Sequence, residues 1–275
     1  MKRRKKLPDK KYRTISLLNL FVFFMVVQAV LLPISYSEVS YTATVLMNFQ
    51  LPRDEYVWIW GSDDFVHKLN KSDLDGPEIL AWNSGTSFNY GGCEFRLEDG
   101  NEYIYLIDSG NGLNSDKLIK FHANNGTELS RWDISGYSND AQGLVWNGSR
   151  WFIADSRDDL IYQVDPQDST IAERSFSYSD QKFCGGLAWD GSYLWAVDHG
   201  TDVVYQMDVY GVIQKSWDFA PSNPKGATYD VASGHLWIVA RSGYLYEYHP
   251  NGTQLSSWDS AGNVPKGIAY SSAYP

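Results

Sequence analysis

The feature that most constrains this chain is a repeat of about forty-one residues. QGLVWNGSRWFIADSRDDLIYQVD, from Gln142 to Asp165, and GGLAWDGSYLWAVDHGTDVVYQMD, from Gly185 to Asp208, match in residue type and order. KGATYDVASGHLWIVARSGYLYEY follows from Lys225 to Tyr248, and KGIAYSS opens again at Lys266. Gly143, Gly186, Gly226 and Gly267 are 43, 40 and 41 residues apart. A second register agrees: Trp82, Trp132, Phe176, Trp217 and Trp258 recur at intervals of 50, 44, 41 and 41. Two upstream units, Tyr56 to Leu69 and Glu102 to Phe121, share the pattern more loosely.

Each unit parses into four short strands of alternating apolar residues, divided by turn chemistry such as Asn147-Gly148, Asp190-Gly191 and Asn251-Gly252. Repeated four-stranded units of this length are propeller blades. A β-sandwich or a parallel β-helix does not explain a fixed internal strand order. The 275 residues, 15% aromatic and 20% charged with 23 glycines, suit one all-β domain and argue against disorder or a coiled coil.

The net charge of -10 conceals a split. Eight of the 23 basic residues lie in the first thirteen positions, opposed only by Asp9, which leaves 15 basic against 32 acidic residues, or -17, in the rest. So acidic a body excludes nucleic acid as a partner, because phosphate binding needs clustered Lys and Arg. Ile15 to Ser35 carries no charge and is long enough for an export signal, a membrane anchor, or both. Cleavage near Ser37 gives a secreted chain, and retention gives an anchored one with its N-terminus inside. The expected organisation is a basic cytoplasmic segment (1–14), a signal or anchor helix (15–35), a linker (36–43) and an extracytoplasmic propeller (44–275).

The repeat GLAWDGSYLWAVDHGTDVVYQMD resembles those of extracellular bacterial and archaeal propellers of the NHL, YVTN and SMP-30-like kind. The resemblance covers residues 56 to 270 and implies the fold. Because such propellers include binding modules, lactonases and lyases, it does not choose an activity. A calcium site like that of the SMP-30-like lactonases cannot be matched residue by residue, so neither a metal nor another cofactor is expected. The glutamate-centred motif of plant-type glutaminyl cyclotransferases is not found here.

Ring closure is the difficulty. Five blades are recognisable, and Lys266 to Tyr270 reads as the first strand of a sixth. A six-bladed ring whose sequence ends early is the expectation, with a five-bladed ring as the alternative and Thr44 to Phe49 as a supplementary edge strand.

In a propeller, the loops between strands two and three and those entering each inner strand gather at one mouth of the channel. That placement makes Gln142, Arg157, Asp158, His199, Lys225, Arg241 and Lys266 the candidate ligand-binding residues. No catalytic or metal-ligating residue is assigned. His199 alone is a candidate acid or base, since no G-x-S-x-G or H-E-x-x-H pattern occurs. Asp108, Asp155 and Asp198 end the second strand of successive blades. A residue repeated in every blade reads as a turn device rather than a catalytic acid.

Asn70-Lys71-Ser72, Asn125-Gly126-Thr127, Asn147-Gly148-Ser149 and Asn251-Gly252-Thr253 are glycosylation acceptor patterns, all expected on the face opposite the mouth. Cys93 and Cys184 fall at about the same repeat position in non-adjacent blades, so two separate thiols are expected. The functional expectation is a non-catalytic module that binds an extracellular protein or a polar, sugar-like ligand. The alternative is a hydrolase, lactonase or lyase acting on a small polar substrate at the same mouth.

Overall fold

In the computed structural model of the protein, residues 55–85, 91–110, 115–177, 184–260 and 264–271 are described. All belong to the compact unit that begins at Leu51. The expected helix at 15–35 and the strand at Thr44 to Phe49 lie outside these residues, and no helix among the described residues is long and apolar enough to cross a membrane.

Among the described residues, twenty strands form five four-stranded antiparallel blades. Blade 1 contains β1 (Tyr56–Gly61), β2 (Phe65–Asn70) and β3 (Leu80–Asn83). Blade 2 contains β4 (Cys93–Glu98), β5 (Asn101–Asp108), β6 (Lys117–His122) and β7 (Glu128–Asp133). Blade 3 contains β8 (Ala141–Trp146), β9 (Trp151–Asp155), β10 (Leu160–Val164) and β11 (Ala172–Phe176). Blade 4 contains β12 (Cys184–Trp189), β13 (Leu194–Asp198), β14 (Val203–Met207) and β15 (Ile213–Asp218). Blade 5 contains β16 (Pro224–Asp230), β17 (His235–Ala240), β18 (Tyr244–Tyr248) and β19 (Gln254–Asp259).

The last strand, β20 (Pro265–Tyr270), corrects the expected sixth blade. It pairs antiparallel with β1, Val57 opposite Tyr270 and Ile59 opposite Ile268, and so becomes the innermost strand of blade 1. The physical reason lies in β1, where Val57, Trp58, Ile59 and Trp60 are all buried. A strand apolar on both faces must be covered on both and paired along both edges. Among the described residues, blade 1 takes its inner strand from β20. At the seam Ser271 N–H donates to Tyr56 O (2.9 Å), and Lys71 Nζ reaches Asp230, Glu55 and Tyr270.

Five apolar clusters fill the gaps between neighbouring blades. The cluster that joins the ends packs Trp237, Val239 and Leu245 of blade 5 against Val57, Ile59, Ile268 and Tyr270 of blade 1. Burying such side chains contributes about 1.5–3 kcal/mol each, so closure is driven by the same packing as every other blade interface.

A ring of glycines lets the inner strands approach one another. A Cβ on Gly186 would stand 2.6 Å from Gly226 Cα, one on Gly226 3.0 Å from Gly267 Cα, and one on Gly92 2.9 Å from Gly143 C. One on Gly267 would meet Gly91 and Cys93, and one on Gly143 would meet Gly185 and Leu187, completing the circle. Gly92, the fifth member, is hard to see in the sequence because Cys93 and Glu94 follow it in place of the usual apolar pair. The same register places Cys93 one residue after its ring glycine and Cys184 two residues before Gly186, so the two cysteines are not equivalent positions. Both are buried and unbridged.

The recurrent aromatics lie on the outermost strands. Each of three packs on a left-handed glycine of the next blade: Trp82 on Gly126, Phe176 on Gly211 and Trp217 on Gly252. Such a turn needs a positive φ, and the missing Cβ leaves room for the ring.

Candidate functional site

Four inner strands begin with the same β-bulge, which skips one residue in the pairing. The skipped residues are Gln142 in β8, Gly185 in β12, Lys225 in β16 and Lys266 in β20. Each immediately precedes its ring glycine, and blade 2 has Gly91 there. A bulge re-aims a side chain out of the ladder. Around the ring, the two lysines therefore stand on adjacent blades, and the amide of Gln142 stands apart from them between two glycine positions.

Gln142 is 6% exposed, and its Nε2 donates to Ser156 Oγ (2.7 Å) and Asp140 Oδ2 (3.1 Å). Ser156 Oγ also donates to Asp140 Oδ2 at 2.6 Å. Lys225 is 7% exposed. Burial, reinforced by the Arg241 guanidinium, pulls its ammonium down to about 8 against an opposing pull from Asp140. His199 is pushed down to about 4 by burial and then by the Lys225 cation, so its imidazole is neutral at physiological pH. Those shared influences place Asp140 of blade 3, His199 and Asp202 of blade 4, and Lys225 and Arg241 of blade 5 in one neighbourhood.

Three other candidates are placed apart from this group or are already engaged. Lys266 Nζ is 3.3 Å from Asp64 Oδ1 and sits over the Trp60 ring at 5.1 Å. Arg157 and Asp158 are exposed in the β9–β10 loop, where Asp158 accepts from Asn139 Nδ2 (3.1 Å). Asp140 and Ser156 are the members that the sequence reading missed. Their only signal was proximity to Gln142 and Asp155 in chain order.

Most mouth carboxylates are occupied with backbone. Asp155 Oδ1 accepts the N–H groups of Arg157 (2.8 Å) and Asp158 (2.9 Å). Asp198 Oδ1 does the same for Gly200 and Thr201, and Asp108 Oδ1 for Gly110. These bonds are the turn device expected from the recurrence. Asp64, Asp159 and Asp202, each the last residue before a third strand, adopt φ values of 65°, 56° and 58°. Asp tolerates this region better than most residues, which accounts for its repetition there.

Asp116 and Asp155 meet at Ser138, whose Oγ lies 2.9 Å from Asp116 Oδ2 and 2.7 Å from Asp155 Oδ2. One hydroxyl hydrogen cannot serve both, so the arrangement favours a proton on one carboxyl. Burial, with the Asp155 and Asp140 charges, lifts Asp116 to about 6. A folded value above the unfolded one of about 3.9 means that Asp116 adds stability as pH falls from about 6 to about 4. His199, whose folded value is lowered, acts in the opposite sense over that range. The difference between wild type and Asp116→Asn isolates the Asp116 contribution. Urea melts at pH 7 and pH 4.5 are expected to show the wild type gaining up to about 2 kcal/mol relative to the variant at the lower pH.

No known protein family model and no curated protein sequence matches the chain. Solved structures do. A chain of the nidogen/laminin complex is similar with a TM-score of 0.54 at 13% identity, over 80% of this chain and 99% of that one. Glutaminyl cyclase of Myxococcus xanthus is similar with a TM-score of 0.48 at 14% identity, over 64% and 77% respectively. The fold is a β-propeller. Identities this low carry the fold and nothing about activity.

Proposed function

We propose that the protein is a non-catalytic binding module, of the NHL, YVTN and SMP-30-like extracellular kind, displayed outside the cytoplasm. Its channel mouth receives an anionic group of a polar ligand or protein partner. The observation that carries this reading is Lys225. At 7% exposure on an inner-strand bulge, Lys225 stands with Arg241 of the same blade beside a neutral His199, so two cations converge on one side of the mouth, and converging cations attract an anionic group. Gln142, Ser156 and Asp140 stand ready for the hydroxyl or amide groups of the same ligand. Asn70, Asn125, Asn147 and Asn251 lie in turns at the opposite end of the blades, so glycans there leave the mouth clear.

Calorimetric titration with glucuronate and with glucose tests the reading. Glucuronate is expected to bind at least tenfold more tightly, and Lys225→Met to remove about tenfold of that affinity. Because Lys225 loses its charge near pH 8, glucuronate affinity should fall between pH 7 and pH 9. Equal affinity for the neutral sugar, or an unchanged Lys225→Met, contradicts the assignment. Hydrolysis of a sugar lactone by the wild type, abolished in His199→Ala, would favour the hydrolase or lactonase reading instead.

A further inference from the structure

Blades 2 and 5 act as controls for blade 4, whose turn departs from the one they share. At the connection between third and fourth strands, blade 2 has Asn125-Gly126-Thr127-Glu128 and blade 5 has Asn251-Gly252-Thr253-Gln254. Blade 4 has Tyr210-Gly211-Val212-Ile213 in the same register, with the same left-handed glycine. Three polar positions have become apolar without burial: Tyr210 is 69% exposed, Val212 58% and Ile213 41%. Ile171, which precedes β11 in the adjacent blade, is 63% exposed.

This patch is held rigid from beneath. Arg174 Nη2 donates to Val209 O at 2.5 Å, its Nε donates to Gln163 Oε1 at 2.8 Å, and its guanidinium lies 4.4 Å from the Tyr210 ring centroid. Asp208 Oδ1 accepts the N–H groups of Tyr210 (2.8 Å) and Val212 (3.0 Å), fixing the turn. A pre-ordered aromatic and two β-branched residues beside an exposed outer strand form a site at which little entropy remains to be lost on binding. Carboxylates lie on the same end of the blades: Asp165 and Asp168 before β11, Asp208 itself, and Glu173, which is held by Arg150 at 2.8 Å.

We infer that this turn, with β15, docks an extended polypeptide segment whose apolar side chains are flanked by Lys or Arg. The charge decides the occupant. The body from residue 14 onward carries -17, which repels the body of a second copy and an anionic bilayer while attracting a basic segment. Addition alongside the outer strand gives such a segment backbone partners, and the apolar tips give it side-chain pockets. The site lies at the opposite end of the blades from the mouth, and its failure would leave the mouth reading untouched.

The test uses the full-length protein in neutral detergent micelles and the fluorescent peptide Lys-Lys-Val-Tyr-Val-Ile-Val-Lys-Lys, with a second peptide that has Glu for every Lys. Fluorescence polarisation is expected to show the lysine peptide binding at least tenfold more tightly than the glutamate peptide. The triple variant Tyr210→Ser, Val212→Thr, Ile213→Glu, which adopts the polar character of the sibling turns, should lose tenfold or more while its melting temperature is retained. Equal binding of both peptides overturns the inference, as does undiminished binding by the variant. A dimer in sedimentation velocity that the variant abolishes would make a second copy the occupant and likewise overturn it.

Discussion

Gly186→Ala is expected to prevent the protein from folding. The added Cβ would stand 2.5 Å from Ala227 N, 2.6 Å from Gly226 Cα and 2.7 Å from Gly226 C. Those are backbone atoms of the neighbouring inner strand, so no rotamer change relieves the contact. The strand would have to withdraw from β16, and with it the packing of Trp195 and Val197 against Leu236 and Ile238 across the blade 4–5 interface. Overpacking in a well-filled core costs about 1–3 kcal/mol when side chains can yield, and more when backbone must. Here the cost is set against a total stability of about 5–15 kcal/mol. Gly136→Ala is the control, since nothing lies within 4 Å of its Cβ position. It should stay within about 1 kcal/mol of wild type. Circular dichroism melts of the two variants in parallel check the contrast. A cooperative melt for Gly186→Ala near the wild-type temperature would mean that the inner strands are not as close as described.

Removal of residues 264–275 should be at least as damaging. It strips β20 from β1 and exposes one backbone edge of a strand whose Val57, Trp58, Ile59 and Trp60 are all buried. Ile268, Ala269 and Tyr270 leave two apolar clusters at once, one shared with blade 5 and one with blade 2. Because β20 is a separable strand, the loss should be repairable. A synthetic peptide spanning Val264 to Ser271, added during refolding, is expected to restore a cooperative melt. A peptide in which Gly267 is replaced by Val should not restore it, since Gly267 faces Gly91 and Cys93. Normal folding of the truncated chain without peptide would show that the ring closes by some other route.

The two experiments bear on different parts of what the sequence could convey. Strand order within the five recognisable units was legible because they repeat Asn-Gly or Asp-Gly turns and, at four places, an aligned inner glycine at short range. Closure was not. The seam joins Tyr56 to Ser271, positions 215 apart, and KGIAY looks the same whether it opens a sixth blade or completes the first. What distinguishes the two is the burial of β1 on both faces, and in hindsight the unbroken apolar run VWIW carries that signal.

The mouth was legible in outline only. Gln142, Lys225 and Lys266 were located because they precede aligned glycines. Their separate settings depend on neighbours far off in the chain or on other strands: Lys266 is drawn to Asp64, whereas Lys225 lies close to Arg241 and His199. The carboxylates show the same limit. An Asp that caps a turn, an Asp with positive φ and an Asp that accepts from Gln142 are identical letters, and only geometry separates Asp155, Asp159 and Asp140.

The five-bladed ring depends on β20 lying against β1 in a defined register, and that register also brings Lys266 to the mouth. Nuclear Overhauser contacts in an isotope-labelled sample test it most directly. Cross-strand contacts linking Val57 to Tyr270, Trp58 to Ala269 and Ile59 to Ile268, with slowly exchanging amides from 267 to 270, are the expected result. Rapid exchange throughout 265–270 with none of those contacts would contradict the closed five-bladed ring.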